Sequence, residues 1–274
     1  GSINPSGINR FIKKLGVDLT ECIDPPELLD TAQKIFERRI RYWETRLMPD
    51  EPDAVVAPAD SKMLVVSIDE KSHVFLKNKF LCVQELFGKE KKPWLSLFED
   101  GSAAIFRLTP DNYHYNHVPV SGLVLDIFEV PGCYNPVNPG TTITLATPYS
   151  KNKRIVTIID TDVNGGTKVG YVAMIEIVAL MIGDIVQCYS EHAYTNPQQV
   201  KAGMFLNKGQ PKSLYRPGSS TDVLLFEKDR ILFCNDIIEN MYHQTASSRF
   251  SQGFGIPLIE TGIKVRSCIG KAKY

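Results

Sequence analysis

The pattern of hydrophobic and polar residues changes near residue 54, and this change predicts the fold. Before it, residues 8–15 and 28–43 carry apolar side chains at helical spacing. The second stretch is expected to begin at 24–27, where an acid and two prolines are typical of a helix start, and to end before Pro49. After residue 54, short apolar and β-branched runs predict strands. We therefore expect an α+β fold, with a single β-rich domain over 1–274 and a helical lead-in over 1–50.

The predicted strands are separated by turn residues at close intervals. The expected strand segments are 54–60, 62–69, 73–76, 102–108, 122–130, 141–147, 154–160, 168–189, 222–226 and 230–233, with short strands within 256–269. The Asn-Gly-Gly sequence at 164–166 predicts one hairpin turn, and residues 227–229 predict a second. Residues 83–87 and 235–247 are expected to be helical.

The first helix has two interpretations, because residues 8–15 combine apolar positions with lysine and arginine. It is either an ordinary packed helix or a basic amphipathic helix on a membrane surface. No apolar run approaches the ~20 residues of a spanning helix, and no signal peptide is visible. We expect a cytoplasmic protein, or one at the cytoplasmic face of a membrane.

The charge balance and the spacing of the cysteines argue against several classes of function. Lys plus Arg and Asp plus Glu both number 31, so the formal net charge is zero. This balance argues against nucleic acid as the main partner, because phosphate binding requires a basic excess. The six cysteines are scattered without a CxxC pair, which argues against a zinc site or a disulfide framework.

Two histidines, His114 and His117, lie three residues apart between prolines. They could be surface residues without a role, two metal ligands, or a general base and a second proton-transfer group. Since no third ligand is near, we predict no metal site. Asp60 follows an apolar run, where it could be a turn residue or a carboxylate that orients a histidine.

A Pro-Gly-Ser-Ser-Thr sequence at 217–221 precedes the predicted strand 222–226. Its composition is typical of a surface turn. One of its serines could also be a nucleophile if a base is close in space. The Gly-x-Ser-x-Gly sequence of hydrolases is absent, which argues against an esterase.

Several short motifs together resemble the phosphatidylserine decarboxylases, and the resemblance covers most of the chain from about residue 46 onward. In order, they are TRL at 45–47, VAPAD at 56–60, LTP at 108–110, YHYNHVP at 113–119, VPG at 130–132, VN at 137–138, IEI at 175–177, IG at 182–183, KGQ at 208–210 and GSS at 218–220. Each motif is weak alone. Their shared order and spacing make the resemblance specific.

The resemblance implies a self-processing, pyruvoyl-dependent carboxy-lyase that converts phosphatidylserine to phosphatidylethanolamine and CO₂. A serine after a glycine attacks the preceding carbonyl, and the new amino end of the smaller chain becomes the pyruvoyl group, which forms a Schiff base with the substrate amine. It also implies that His117 is the base, that Asp60 orients it, and that His114 works in the decarboxylation. A homo-oligomer is the expected assembly.

The chain departs from the family pattern at Ser61, at Asn112, in the lead-in 213–217 and in the Gly-Ser-Ser-Thr motif. That motif leaves two registers. Counting from the Lys-Gly motif places the cut between Gly218 and Ser219, giving a β chain 1–218, an α chain 219–274 and a pyruvoyl group from Ser219. Counting back from Phe226 selects Ser220. We favour Ser219, since glycine leaves the attacked carbonyl open. Decarboxylation of a free amino acid, or a binding protein that never cuts itself, are the alternatives.

Overall fold

The computed structural model describes residues 5–68, 83–88, 91–136, 138–139, 148–179 and 183–274. Its α-helices are α1 (Pro5–Leu15), α2 (Ala32–Phe36), α3 (Tyr42–Thr45), α4 (Val83–Leu86), α5 (Lys92–Leu97), α6 (Pro148–Lys151), α7 (Asn235–Met241) and α8 (Arg249–Phe254). Its strands are β1 (Ala54–Val56), β2 (Ser61–Ser67), β3 (Ser102–Leu108), β4 (Tyr115–His117), β5 (Gly122–Val130), β6 (Arg154–Asp160), β7 (Tyr171–Ala179), β8 (Ile185–Gln187), β9 (Phe205–Leu206), β10 (Pro211–Tyr215), β11 (Ser219–Phe226), β12 (Ile231–Phe233), β13 (Thr261–Ile263) and β14 (Cys268–Ala272).

An antiparallel sheet of eight strands forms the centre of the molecule, in the order β13-β2-β3-β11-β7-β6-β5-β9. Strand β11 lies inside this sheet, paired with β3 on one side and β7 on the other. The α+β, β-rich fold class is therefore confirmed. The serine motif does not sit on an exposed loop, because its second half is already part of a central strand.

Both faces of the central sheet are buried. One face packs under α4, α5, α7 and α8, with Val223 and Leu225 of β11 in that core. The opposite face packs against the segments 55–57 and 118–120, with Leu224 and Phe226 in the second core. This division follows from the period of two along a strand, which sends successive side chains to opposite faces.

Two smaller sheets cover the second face. One has the order β1-β14-β12 and the other β4-β10-β8. In the latter, β10 pairs with β4, so that Pro211 lies opposite His117 and Leu214 opposite Tyr115. Because β10 leads directly into residues 216–218, this pairing brings the histidine motif beside the approach to the serines.

Most predicted strands agree with the structure, and one predicted hairpin is confirmed. Strands β3, β5 and β6 have the predicted bounds, and β6 and β7 pair antiparallel around a loop in which Gly165 has a φ of 74°. That left-handed conformation suits glycine, which has no Cβ to clash. The predicted strands 73–76 and 141–147 lie outside the described residues.

The long helix predicted from Asp24 towards Pro49 is wrong. A single 3-10 turn (Pro26–Leu28) is followed by α2, whose N-cap is Thr31, and then by α3. Pro25 is extended (ψ 150°) because the next residue is also proline, which disfavours helical geometry before it. Asp24 instead accepts a hydrogen bond from Arg39 at 2.8 Å.

The second predicted hairpin is also wrong. Strand β12 pairs with β14 in a small sheet, whereas β11 stays between β3 and β7. The intervening turn, in which Asp229 has a φ of 60°, carries the chain from one sheet to another. A turn sequence between two apolar runs does not reveal whether the strands that it joins are partners.

Helix α1 packs on the protein, as in the first of its two interpretations. Ile8 is buried against Cys22, Leu29 and Ile35, and Ile12 packs at the edge of the same cluster. Basic side chains lie on the opposite side, with Lys13 and Lys14 exposed. Among the described helices, none has the length and apolar character needed to cross a membrane.

Candidate active site

The two histidines of the HxxH motif are buried, with 1% of His114 and none of His117 exposed. The interpretation that places them on the surface is therefore wrong. Strand β4 carries Tyr115, Asn116 and His117, and its pairing with β10 fixes them beside the lead-in to the serines. A buried, unpaired charge is costly, so burial alone favours neutral imidazoles at both positions.

The imidazole of His117 is held at both nitrogens. Its Nδ1 lies 2.8 Å from the carbonyl oxygen of Gly209, and its Nε2 lies 2.9 Å from the hydroxyl of Tyr113. Since a carbonyl only accepts, Nδ1 carries the proton and Nε2 accepts from Tyr113. Burial lowers the pKa of His117 to about 3, so the ring is neutral at physiological pH.

The imidazole of His114 has a different environment. Its ring stacks on Phe36, with ring centroids 3.5 Å apart. Its Nδ1 is buried and has no hydrogen-bond partner within the described ranges. Burial, with a smaller contribution from Arg38, lowers the pKa of His114 to about 3. His114 is thus a neutral imidazole with one ring nitrogen free to take part in proton transfer.

Asp60 does not orient His117 in this structure, contrary to the expectation from the family resemblance. Its carboxylate receives hydrogen bonds from Arg46 Nε at 3.0 Å and Nη2 at 2.8 Å, and from the backbone N–H of Val265 at 2.8 Å. Arg46 and Asp60 are both buried, and a bidentate charged pair is a stronger partner for a buried carboxylate than a neutral imidazole. The Gly209 carbonyl takes the orienting position beside His117.

Ser220 lies within the ladder of three strands, and its side chain is buried. Its cross-strand partners are Leu108 on β3 and Val178 on β7. The Ser220 Oγ has no hydrogen-bond partner among the described residues. For Ser219 the structure describes the backbone, which begins β11, whereas its side chain lies outside the described part.

Ser220 and His114 border the same small apolar cluster. Leu108 and Val178, which flank Ser220, pack there with Ala59, and Phe36 packs against the cluster from its edge. The ring of His114 stacks on the ring of this Phe36. Two buried polar atoms without partners, one hydroxyl and one imidazole nitrogen, therefore lie at one apolar cluster. A buried polar group without a partner costs about 1–3 kcal/mol, so such groups call for a functional explanation.

A buried polar cluster below Ser220 was missed by the sequence analysis. Lys212 Nζ lies 2.7 Å from Glu176 Oε2, and both side chains are fully buried. Glu176 faces Asp222 in the β7–β11 pairing. Burial, and then the charge of Glu176, raise the pKa of Asp222 well above its ordinary value, which favours the protonated carboxyl group. The Tyr215 hydroxyl lies 2.8 Å from Asp222 Oδ1 and 3.0 Å from the Thr221 carbonyl oxygen.

The sequence analysis also assigned no role to several other neighbours of the predicted site residues. Arg46 and Tyr113 stood inside recognised motifs without an assigned role, and Gly209 was used only to count register. Neither Arg46 nor Tyr113 stands in an apolar run of the sequence, so the local pattern gave no signal that they would be buried. Which partner each has depends on tertiary contacts.

Comparison with known proteins shows the family to which this chain belongs. The sequence model of the family described as phosphatidylserine decarboxylase matches residues 32–252. The chain belongs to the phosphatidylserine decarboxylase family. The matched range contains all the predicted site residues, namely Asp60, His114, His117, Gly218, Ser219 and Ser220, so the resemblance drawn from the short motifs is confirmed.

Individual phosphatidylserine decarboxylase proenzymes are between 27% and 32% identical to this chain. It is 31% identical over 234 residues to the phosphatidylserine decarboxylase proenzyme of Fusobacterium nucleatum, covering 85% of this chain and 72% of that protein. It is 30% identical to the proenzyme of Saccharophagus degradans, covering 84% and 80%. It is 32% identical to proenzyme 2 of Oryza sativa, but that match covers 85% of this chain and only 35% of the rice protein.

Proposed function

We propose that this chain is a pyruvoyl-dependent carboxy-lyase that cuts itself and then converts phosphatidylserine to phosphatidylethanolamine and CO₂. The observation that carries the proposal is the buried Ser220 hydroxyl without a partner, at the apolar cluster that also borders His114. The family assignment gives the reaction class. A serine kept in the ladder of a central strand is well placed to react with its own backbone, because the strand fixes its position.

The geometry of β11 supports Ser220 as the reacting serine, in place of the Ser219 favoured by sequence. Successive strand residues face opposite sides of a sheet. Ser220 shares its face with Leu224 and Phe226, which pack against the segments 55–57 and 118–120. Those segments adjoin Asp60 and His117 in the chain. The scissile bond is then 219–220, with Ser219 in the position of the family glycine.

The proposed self-cleavage reaction needs no added reactant other than water. The serine Oγ attacks the preceding carbonyl carbon, the C–N bond breaks, and a base passes the hydroxyl proton to the departing amine, which leaves an ester. Loss of the serine Cα hydrogen then breaks the Cβ–O bond and frees the carboxylate of the larger chain. Hydrolysis releases ammonia from the new amino end, which becomes the pyruvoyl group. That group supplies an electron sink for the loss of CO₂.

The two histidines have separable roles in this proposal. The family resemblance gives His117 the base role in cleavage, and its neutral Nε2 suits a base. Because that nitrogen now accepts from Tyr113 at 2.9 Å, His117 must exchange Tyr113 for the serine before it acts. His114, with its free Nδ1, is proposed to deliver a proton to the substrate carbon after CO₂ has left.

We therefore expect His117→Ala to remain uncut, and His114→Ala to cut itself but to lose decarboxylation by at least about a hundredfold. Cleavage is read on a denaturing gel and decarboxylation as CO₂ release. His243→Ala changes an exposed histidine and is the matched control. If His114→Ala decarboxylates at the control rate, or His117→Ala cuts itself normally, the assignment of roles is wrong.

The substrate test compares phosphatidylserine vesicles with a panel of free amino acids. We expect CO₂ release from the lipid and none above background from the amino acids. The reverse result would replace the lipid with a free amino acid as substrate. A chain that cuts itself but acts on neither would contradict the decarboxylase proposal, and peripheral membrane binding and homo-oligomer formation stay predictions in every case.

A further inference from the structure

A cavity of about 520 Å³ lies on the helix-covered face of the central sheet and is rich in basic side chains. Lys62 and Arg107 come from β2 and β3, and Arg249 is the first residue of α8. Ser247, Ser248 and Glu260 add polar groups to the lining. Three cations against one carboxylate make this an electropositive cavity in a chain with no net charge.

Two of the three cations are available to a ligand. Arg107 is engaged, because its Nε and Nη2 donate to the two carboxylate oxygens of Glu260 at 2.9 and 2.7 Å. This pair is only about a tenth exposed and forms a fixed part of the wall. Lys62 and Arg249 form no ion pair with any residue in the described ranges, and both are exposed. Within the described part of the chain, the cavity therefore presents two positive charges without an ion-pair partner, beside the Arg107–Glu260 pair.

The position of the cavity connects it to the proposed site. Lys62 lies opposite Arg107 in the β2–β3 pairing, and Arg107 lies opposite Thr221 in the β3–β11 pairing. This row of residues ends one position after Ser220, at the end of the sheet where β11 begins. After a cut at 219–220, the new amino end of the smaller chain lies at that same end.

A second cavity, next to the first, is lined in part by Asp60, one of the predicted site residues. It has a volume of about 220 Å³, shares Lys62 with the first, and is also lined by Asp60 and Asn112. A ligand that spans the two cavities would run from the Lys62–Arg249 cations around the sheet end towards Asp60.

We infer that the cavity between Lys62 and Arg249 binds the phosphodiester of the phosphatidylserine headgroup. The inference rests on the proposed function and names the part of the substrate that these side chains recognise. Lysine and arginine are the side chains that proteins use for phosphate groups. A free amino acid lacks the phosphodiester, so this cavity would favour the lipid over the free amino acid.

The test measures binding of soluble glycerophosphoserine by calorimetry, with inorganic phosphate and free serine as comparison ligands. We expect the wild-type chain to bind glycerophosphoserine at least tenfold more tightly than free serine. The double variant Lys62→Ala/Arg249→Ala should bind it at least tenfold more weakly than the wild type, and Lys62→Arg should retain binding. Lys271→Ala removes an exposed lysine of β14 and should leave the affinity unchanged.

The outcomes separate this inference from the proposed function. Unchanged affinity in the double variant, equal affinity for free serine, or binding of phosphate without glycerophosphoserine would each overturn the inference. If the double variant decarboxylates lipid with the wild-type KM, the cavity assignment fails while the enzyme function stands. If the chain neither cuts itself nor releases CO₂, the function fails, and the binding measurement on the uncut chain still decides the inference.

Discussion

Ser220→Ala is expected to leave the chain uncut as a single 30.7 kDa species, whereas Ser219→Ala still separates into two chains. The reason is the position of the Ser220 Oγ, which is buried without a partner on the sheet face that packs against the segments adjoining Asp60 and His117. Loss of a nucleophile lowers the rate of the step that it performs by at least about a thousandfold. The cleavage should therefore fall below detection on a gel.

The two serine variants are matched controls for each other, because each removes one hydroxyl from neighbouring positions. Cleavage in Ser220→Ala together with none in Ser219→Ala would contradict the Ser220 assignment and move the cut to 218–219. Cleavage in both variants would also contradict the Ser220 assignment, because a chain without the Ser220 hydroxyl would still cut itself. Circular dichroism of the uncut variant checks that the fold is retained.

The second large effect is expected at Lys212, where Lys212→Met should lower the free energy of unfolding by about 3–5 kcal/mol. Lys212 and Glu176 are fully buried, and the substitution leaves the Glu176 carboxylate without its cation. Equilibrium denaturation should be measured in the Ser220→Ala background, so that every variant is a single chain. The companion variant Lys273→Met removes an exposed ion pair with Asp229 and should cost less than about 1 kcal/mol.

A double variant identifies the cause of that loss. Glu176→Gln keeps a side chain that can accept from Ser213 Oγ and Asn116 Nδ2 but removes the buried charge. Lys212→Met/Glu176→Gln should therefore recover most of the lost stability, because no unpaired charge remains. If the double variant is as unstable as Lys212→Met alone, packing around Lys212, and not its charge, maintains this part of the fold.

The strands of the central sheet could be predicted from local sequence, and their partners could not. The largely apolar runs that became β3, β5 and β6 are seven to nine residues long, so a local pattern suffices to predict them. The helix predicted after Asp24 failed at its start because Pro26 disfavours helical backbone at Pro25, and it is interrupted again at Thr31, which is extended and caps α2. The hairpin at 227–229 failed because strand pairing is a tertiary property, and β12 finds β14 instead.

The candidate site shows the same limit: its motifs could be predicted from local sequence, and the tertiary partners of its residues could not. The histidine motif and the serine motif could be found from residue types and spacing, and burial of both histidines agrees with a chemical role. The partners of Asp60 could not be found, since Arg46 lies 14 residues before it and Val265 lies 205 residues after it. The choice between Ser219 and Ser220 likewise depends on which face of β11 a residue occupies, and that becomes visible only once the strand is placed in the sheet.

The most direct test of the account is the intact mass of the purified, untreated protein, combined with labelling by a hydrazide reagent that reacts with carbonyl groups. The account predicts two chains, residues 1–219 and 220–274, with the hydrazide label on the smaller chain because its first residue has become a pyruvoyl group. A single unlabelled species of 30.7 kDa under all conditions would contradict self-cleavage, and with it the proposed enzyme.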